Sequence, residues 1–297
     1  MKNTTLLLLL LTSISLAQTN SNLITDTKGR EVLWGSFEKA DLTKPQFVNW
    51  FQKGYDNYQP DATVVSKLSE SIAAYQLEVY MGTWCGDSKR EIPRLIKLFE
   101  ALEMPRENVQ MIAVRGDGVF YKQGPNQETL GKNIHCVPTI IVYKNGQEIN
   151  RIVEDPIVSL EADLLAIIEG NYQPQYPIAN ALGSQLSNDK DRGLSDKRLK
   201  KLASKFIDKT SSFYELNTLA YVLSTQNKEQ QAVSVLKLNS LLFEDEAQVH
   251  YRLGKKLEEL EMYEEALVAY SKAISLKPEI ADYIQALERI KTTKEGK

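Results

Sequence analysis

The sequence predicts two folded units in series, an α/β domain followed by an all-α domain of helical repeats. Two observations carry that prediction. Between about residues 61 and 170, short apolar runs of strand character alternate with segments of helical character. In the last third of the chain, a set of apolar and small positions recurs at an interval of 34 residues without a gap.

Taken in chain order, the first segment reads as an address. Lys2 supplies a positive start, Leu6 to Leu11 an apolar run too short for a bilayer, and Ser15-Leu16-Ala17 a small-x-small cleavage site before Gln18. Residues 1–17 are therefore expected to be a signal peptide, and the mature protein to be soluble and periplasmic or secreted, where cysteine chemistry concerns disulfides. With no cysteine at the cleavage point and no later segment of spanning length, neither a lipid anchor nor a membrane helix is expected. Residues 18–60 are expected to form an N-terminal extension packed on the next domain. Within it, Arg30–Phe37 reads as a strand, and Thr43 and Pro45 as the start of a helix carrying Phe47, Trp50 and Phe51 on one face.

The α/β domain is expected over 61–170. It should hold a helix near 61–74, a strand at 77–82, a helix from about 88 to 102 and a strand at 109–115. A hairpin over 139–153 follows, because Asn145-Gly146 accepts the positive φ angles that a two-residue turn requires. A helix at 158–169 closes the domain. Residues 171–195, with their Pro, Asn and Gly, read as a linker, and 196–297 as the helical domain.

Composition narrows the function classes. The 297 residues are 42% hydrophobic and 25% charged, which suits about two globular domains rather than a disordered chain. A net charge of −3 leaves no basic excess to neutralise phosphates, so nucleic acid is not an expected partner. The only histidines, His135 and His250, lie far apart in the sequence, which argues against a zinc cluster and against a supported Cys-His pair. No metal or other cofactor is expected, and His135 is expected at a loop surface.

The chemistry centres on "GTWCGDSKREIP", residues 82–93, which holds one of only two cysteines. Cys85 follows an expected strand and opens an expected helix, so its sulfur should face unpaired backbone N–H groups and the positive end of the helix dipole, both of which favour thiolate. Nearby, Asp87 opposes ionisation whereas Lys89 and Arg90 favour it.

These residues resemble the thioredoxin superfamily. Trp84-Cys85-Gly86 is similar to the family's active-site word, Pro93 to the proline of its active-site helix, and Val137-Pro138-Thr139 to its cis-proline segment; Lys144-Asn145-Gly146 follows at the family's spacing. The resemblance covers roughly 61–170. It implies a thioredoxin-like fold with Cys85 as nucleophile and a substrate surface formed by Trp84, Gly86, Asp87, Val137, Pro138 and Thr139. It also implies that the backbone before Pro138 pairs with an extended substrate chain.

The departures matter as much. Ser88 stands where the family carries its resolving cysteine; a hydroxyl can hydrogen-bond a thiolate but cannot attack a mixed disulfide. Val79 replaces the family's buried acid, with Glu78 beside it expected on the other face of the strand. Glu154 stands where glycine is usual on the substrate surface, which implies that an ordinary reductase partner fits poorly. The second sulfur, Cys136, is either a distant resolving thiol or a free thiol at the surface or half-buried, and the second reading is favoured because bridging requires close Cα atoms.

In the C-terminal third, Leu219, Ala220, Leu223, Ala232 and Leu236 recur as Leu253, Gly254, Leu257, Ala266 and Tyr270. Together with Ala273 and Pro278, the second copy resembles the tetratricopeptide repeat. Small residues at 220, 232, 254 and 266 let paired helices approach. Repeats are expected at about 213–246 and 247–280, the first degenerate at Asn239 and Glu244, with cap helices near 196–209 and 280–293.

The expected function is monothiol thiol-disulfide exchange on protein clients, with Cys85 as nucleophile, Ser88 and the helix N-terminus as thiolate stabilisers, and an external thiol reductant completing turnover. The alternative is a non-catalytic client-holding or scaffold protein that uses the same surfaces. A thiol peroxidase is weaker, since nothing beyond the thiol supports it.

Overall fold

The computed structural model describes residues 22–186, 191–210 and 212–295, so the expected signal peptide lies outside the described residues. The described residues begin with the hairpin β1 (Asn22–Thr25) and β2 (Glu31–Ser36). Asp26 closes its turn, accepting the N–H groups of Lys28 at 2.9 Å and Arg30 at 2.8 Å, while Gly29 takes the positive φ of +75°. The short helix α1 (Lys39–Leu42) ends at Thr43, whose hydroxyl donates to the Ala40 carbonyl at 2.8 Å. Thr43 therefore terminates one helix instead of starting the next, and α2 runs only over Val48–Asn57. Its Phe47, Trp50 and Phe51 do share a face, and Phe47 and Phe51 are buried.

Helix α3 (Ala62–Ser69) is capped by Asp61, which accepts from the N–H groups of Thr63 and Val64. Strand β3 (Gln76–Met81), helix α4 (Gly86–Ala101) and strand β4 (Val109–Ala113) form a parallel crossover. Strands β5 (Thr139–Lys144) and β6 (Gln147–Val153) are joined at Asn145 and Gly146, with φ of +53° and +74°. Helix α5 (Leu160–Ile168) is capped by Ser159. The result is one mixed sheet in the order β1-β2-β4-β3-β5-β6, antiparallel except between β3 and β4.

The period-two alternation of β3 splits the sheet faces. Leu77, Val79 and Met81 face the larger core under α2, α3, α4 and α5, whereas Tyr80 joins Ile112, Val114, Ile134, Val137 and Ile141 on the opposite face. Glu78 lies on that second face too, where its carboxylate accepts from Tyr80 at 2.9 Å and Tyr143 at 3.1 Å and pairs with Lys132.

The segment expected as a linker contains a helix, α6 (Pro177–Leu186). The Pro that reads as a breaker is the first helical residue, where its missing N–H costs nothing. Ile178, Ala179, Leu182 and Leu186 sit at helical spacing and are buried. They enter the core of the remaining helices, α7 (Asp196–Phe206), α8 (Tyr214–Thr225), α9 (Glu229–Leu242), α10 (Ala247–Glu259), α11 (Tyr263–Leu276) and α12 (Ala281–Glu295). The small positions lie at close helix approaches: Ala220, Ala232 and Ala266 are buried, and a Cβ on Gly254 would sit 2.6 Å from the Tyr270 ring.

The sheet and the helices meet along a polar seam. Asn133 donates to the Ala179 carbonyl at 2.7 Å, and a Cβ on Gly183 would fall 2.3 Å from the same Asn133 amide nitrogen, so this approach requires glycine. Gln123 donates to the Thr225 carbonyl at 3.1 Å. No described helix is long and apolar enough to cross a membrane.

Candidate functional site

Cys85 is the residue that caps α4, with extended dihedrals of φ −90° and ψ +133°. The helix begins at Gly86, two residues earlier than the sequence suggests, and this puts the sulfur at its N-terminal edge. The thiol is half-buried, and its S–H donates to the Val137 carbonyl at 3.2 Å. Val137-Pro138 is a cis peptide. The loop is tied on both sides: Thr139 donates its hydroxyl to the Cys136 carbonyl at 2.7 Å, and the Pro138 carbonyl accepts the Glu154 N–H at 2.7 Å. Sulfur and loop thus face each other at the same end of β3 and β5.

Trp84 forms one wall. Its indole N–H donates to the Val114 carbonyl at 2.9 Å, and its ring lies so close over Gly82 and Gly116 that a Cβ on either would be 2.5 Å away. Two glycines separated in sequence by a strand and a helix therefore make room for one ring. On the other side, Asp87 Oδ2 is 4.0 Å from the sulfur and the Asp87 carboxylate pairs with Arg90 at 3.0 Å. Arg90 also bridges to Asp155 and Glu91, joining the first turns of α4 to the loop after β6.

Ser88 is fully buried, and its hydroxyl accepts the Gly82 N–H at 3.2 Å. Among the described contacts this hydroxyl partners Gly82, not the Cys85 sulfur, because the buried N–H at the end of β3 needs an acceptor. Val79 is buried in the apolar core and offers no polar atom there. Glu154 adopts φ +62°, the left-handed conformation that favours glycine, and the Tyr176 hydroxyl donates to its carboxylate.

Two sequence expectations are corrected. Cys136 is neither at the surface nor half-buried: it is 6% exposed and reduced, and burial, reinforced by Glu154, pushes its thiol up. It lines a cleft of about 470 Å³ with Glu154, Tyr176, Tyr214 and Glu215, and Cys85 is not in that lining. His135 is likewise buried instead of lying on a loop surface. Its ring sits edge-on to Tyr176 at 5.6 Å; burial, helped by the charges of Lys122 and Arg151, holds the imidazole neutral by lowering its pKa to about 3. Both follow from the docking of α6 over residues 133–136, a contact distant in sequence.

Three contributors were not singled out from the sequence. The Tyr121 ring lies tilted at 6.3 Å from Trp84 and edge-on at 4.8 Å from Tyr221 of α8. Glu215, only 5% exposed, accepts the Ala179 N–H at 2.7 Å at the start of α6, and burial pushes its carboxyl up to about 7. One signal for Glu215 was legible: it falls on the buried stripe of α8 with Leu219 and Val222. Among the described residues no group of three or more His, Cys, Asp or Glu side chains is arranged to hold a metal ion.

A search of curated proteins finds none that matches this chain. A tetratricopeptide repeat is found at residues 247–279, the segment that forms α10 and α11, and such repeats support a protein-binding role.

Proposed function

We propose that this is an exported thioredoxin-like protein that performs thiol-disulfide exchange on protein clients through the single thiol of Cys85. The observation that carries the reading is the meeting of Cys85, at the N-terminus of α4, with the carbonyl of Val137 just before a cis-proline. A thiolate at that edge attacks one sulfur of a client disulfide, forming the Cys85–client bond and expelling the other client sulfur as thiolate. With serine at 88, no neighbouring thiol attacks that bond in turn, so a dithiol, or two equivalents of a small thiol, reduces it: the client and Cys85 leave as thiols and the reductant leaves as its disulfide. The repeats supply a second protein-binding surface, and residues 1–17 direct the chain to the periplasm or outside the cell.

The test is a non-reducing gel of acid-quenched protein from the exporting host. Mixed disulfides are expected with the parent, absent from Cys85→Ala, and fewer in Ser88→Cys, whose second thiol releases the client. Complexes that persist in Cys85→Ala would refute the mechanism. A second reading, a client-holding scaffold without turnover, is favoured by one observation: position 79 holds a buried apolar valine, which can accept no proton. Dithiol-coupled reduction of a model disulfide separates the two, since the scaffold shows none.

A further inference from the structure

We propose that the aromatic surface running from Trp84 across Tyr121 to Tyr221 binds the polypeptide that flanks a client's cysteine, taking one large apolar side chain near that cysteine. This rests on the reading of Cys85 as an exchanging thiol. The surface begins at the thiol: Trp84 and Cys85 pack together on the same small core. It continues through ring-to-ring steps of 6.3 Å to Tyr121 and 4.8 Å to Tyr221, and so crosses from the α/β domain onto the first repeat helix. Next in the chain to Tyr121, the Phe120 ring lies tilted against Trp34 at 5.4 Å.

Away from Trp84 the surface is open. Tyr221 is 53% exposed, Phe120 42% and the adjoining Val119 72%, which concentrates apolar area beside a half-buried thiol. Aromatic side chains with one face packed and one face open are the usual anchors of polypeptide recognition. Continuity with the thiol points to the occupant: the residues that flank a client sulfur bonded to Cys85 lie next to Trp84, where this surface starts. A small thiol does not reach Tyr221. An extended chain advances about 3.3 Å per residue, so a side chain about three to five positions from the client cysteine reaches the Tyr121–Tyr221 pair.

The experiment compares three reagents that release the same coloured thiolate. One is the symmetrical aryl disulfide of 2-nitro-5-thiobenzoate. The others are short single-cysteine peptides carrying that aryl group on sulfur, with tryptophan or glycine about four positions to either side of the cysteine. In each peptide reaction the Cys85 thiolate bonds to the peptide sulfur, the peptide–aryl S–S bond breaks with its electron pair on the aryl sulfur, and the thiol proton goes to buffer. Cys85→Ala supplies the background.

The tryptophan peptide is expected to react about three to ten times faster than the glycine peptide. That ratio should collapse towards one in Tyr221→Ser and persist in Tyr221→Phe and in Val268→Ser, an exposed apolar site on α11. A parent ratio of one, with Cys85 reacting normally with the symmetrical reagent, overturns the proposal alone. So does an undiminished ratio in Tyr221→Ser, an equal loss in Val268→Ser, or a dimer that Tyr221→Ser dissociates, which would make the surface a self-interface. Failure of Cys85 to react with the symmetrical reagent instead removes the exchange reading beneath it.

Discussion

Replacing Glu215 with glutamine isolates the buried acid at the seam between sheet and helices. Glu215 is 5% exposed and accepts the Ala179 N–H at 2.7 Å, so it caps α6 from a different helix. Burial raises its carboxyl from 4.5 to about 7, opposed by the N–H groups of Ala179 and Ile178. Because the folded value lies above the unfolded one, the native state binds the proton more tightly. The associated stability is complete below pH 4.5, declines as pH rises, and is gone above about 7. At about 1.4 kcal/mol per pH unit, the interval is worth about 3 kcal/mol. Glutamine retains an oxygen for the Ala179 N–H and never ionises. Glu215→Gln should therefore match the parent at pH 4.5 and exceed it by up to about 3 kcal/mol at pH 8, most of the gap opening between those values. Urea unfolding of both proteins across that range measures the difference, in which all other titrating groups cancel. A gap that does not change with pH, or a variant less stable than the parent at pH 8, would refute the buried-acid account.

Ala266→Leu should destabilise the helical domain by about 1–3 kcal/mol, since Ala266 is fully buried at a helix approach and extra methylenes have no space. Limited proteolysis checks this, with faster cleavage beyond residue 200 expected and unchanged resistance contradicting the repeat register. His135, lowered to about 3 by burial and neighbouring cations, should remain neutral from pH 8 to about 5. Its imidazole proton resonances, assigned by their loss in His135→Gln, should not titrate there; a midpoint above about 5 would contradict the burial. The sign follows: between 6.5 and about 3 the unfolded chain takes a proton that the native imidazole refuses, so His135 subtracts stability as the pH falls below 6.5.

What the sequence determined by itself was whatever depends on neighbours a few residues apart. The Asn145-Gly146 turn and the placing of Val79 and Glu78 on opposite faces of β3 were legible in this way; the caps at Asp61 and Ser159 are equally local but were not singled out. The helix pairs 214–242 and 247–276 follow from a 34-residue recurrence whose small positions permit close packing. In the candidate site, Cys85, Val137 and Pro138 were legible as words in the right order, and the Cys85 sulfur meets the Val137 carbonyl at 3.2 Å. Tertiary structure decided the rest, because it depended on which surfaces cover one another. Pro177 reads as a breaker until the burial of Ile178, Ala179, Leu182 and Leu186 makes α6 a packed helix. Once α6 lies against the 133–136 loop, His135 and Cys136 lose water, and neither residue's own neighbours encode that loss. Tyr121 and Tyr221 are 100 residues apart in the chain, and only the docking of α8 puts their rings 4.8 Å from each other beside the thiol. Local pattern sets elements and caps; desolvation and ring contacts between distant segments are set only when the two domains pack.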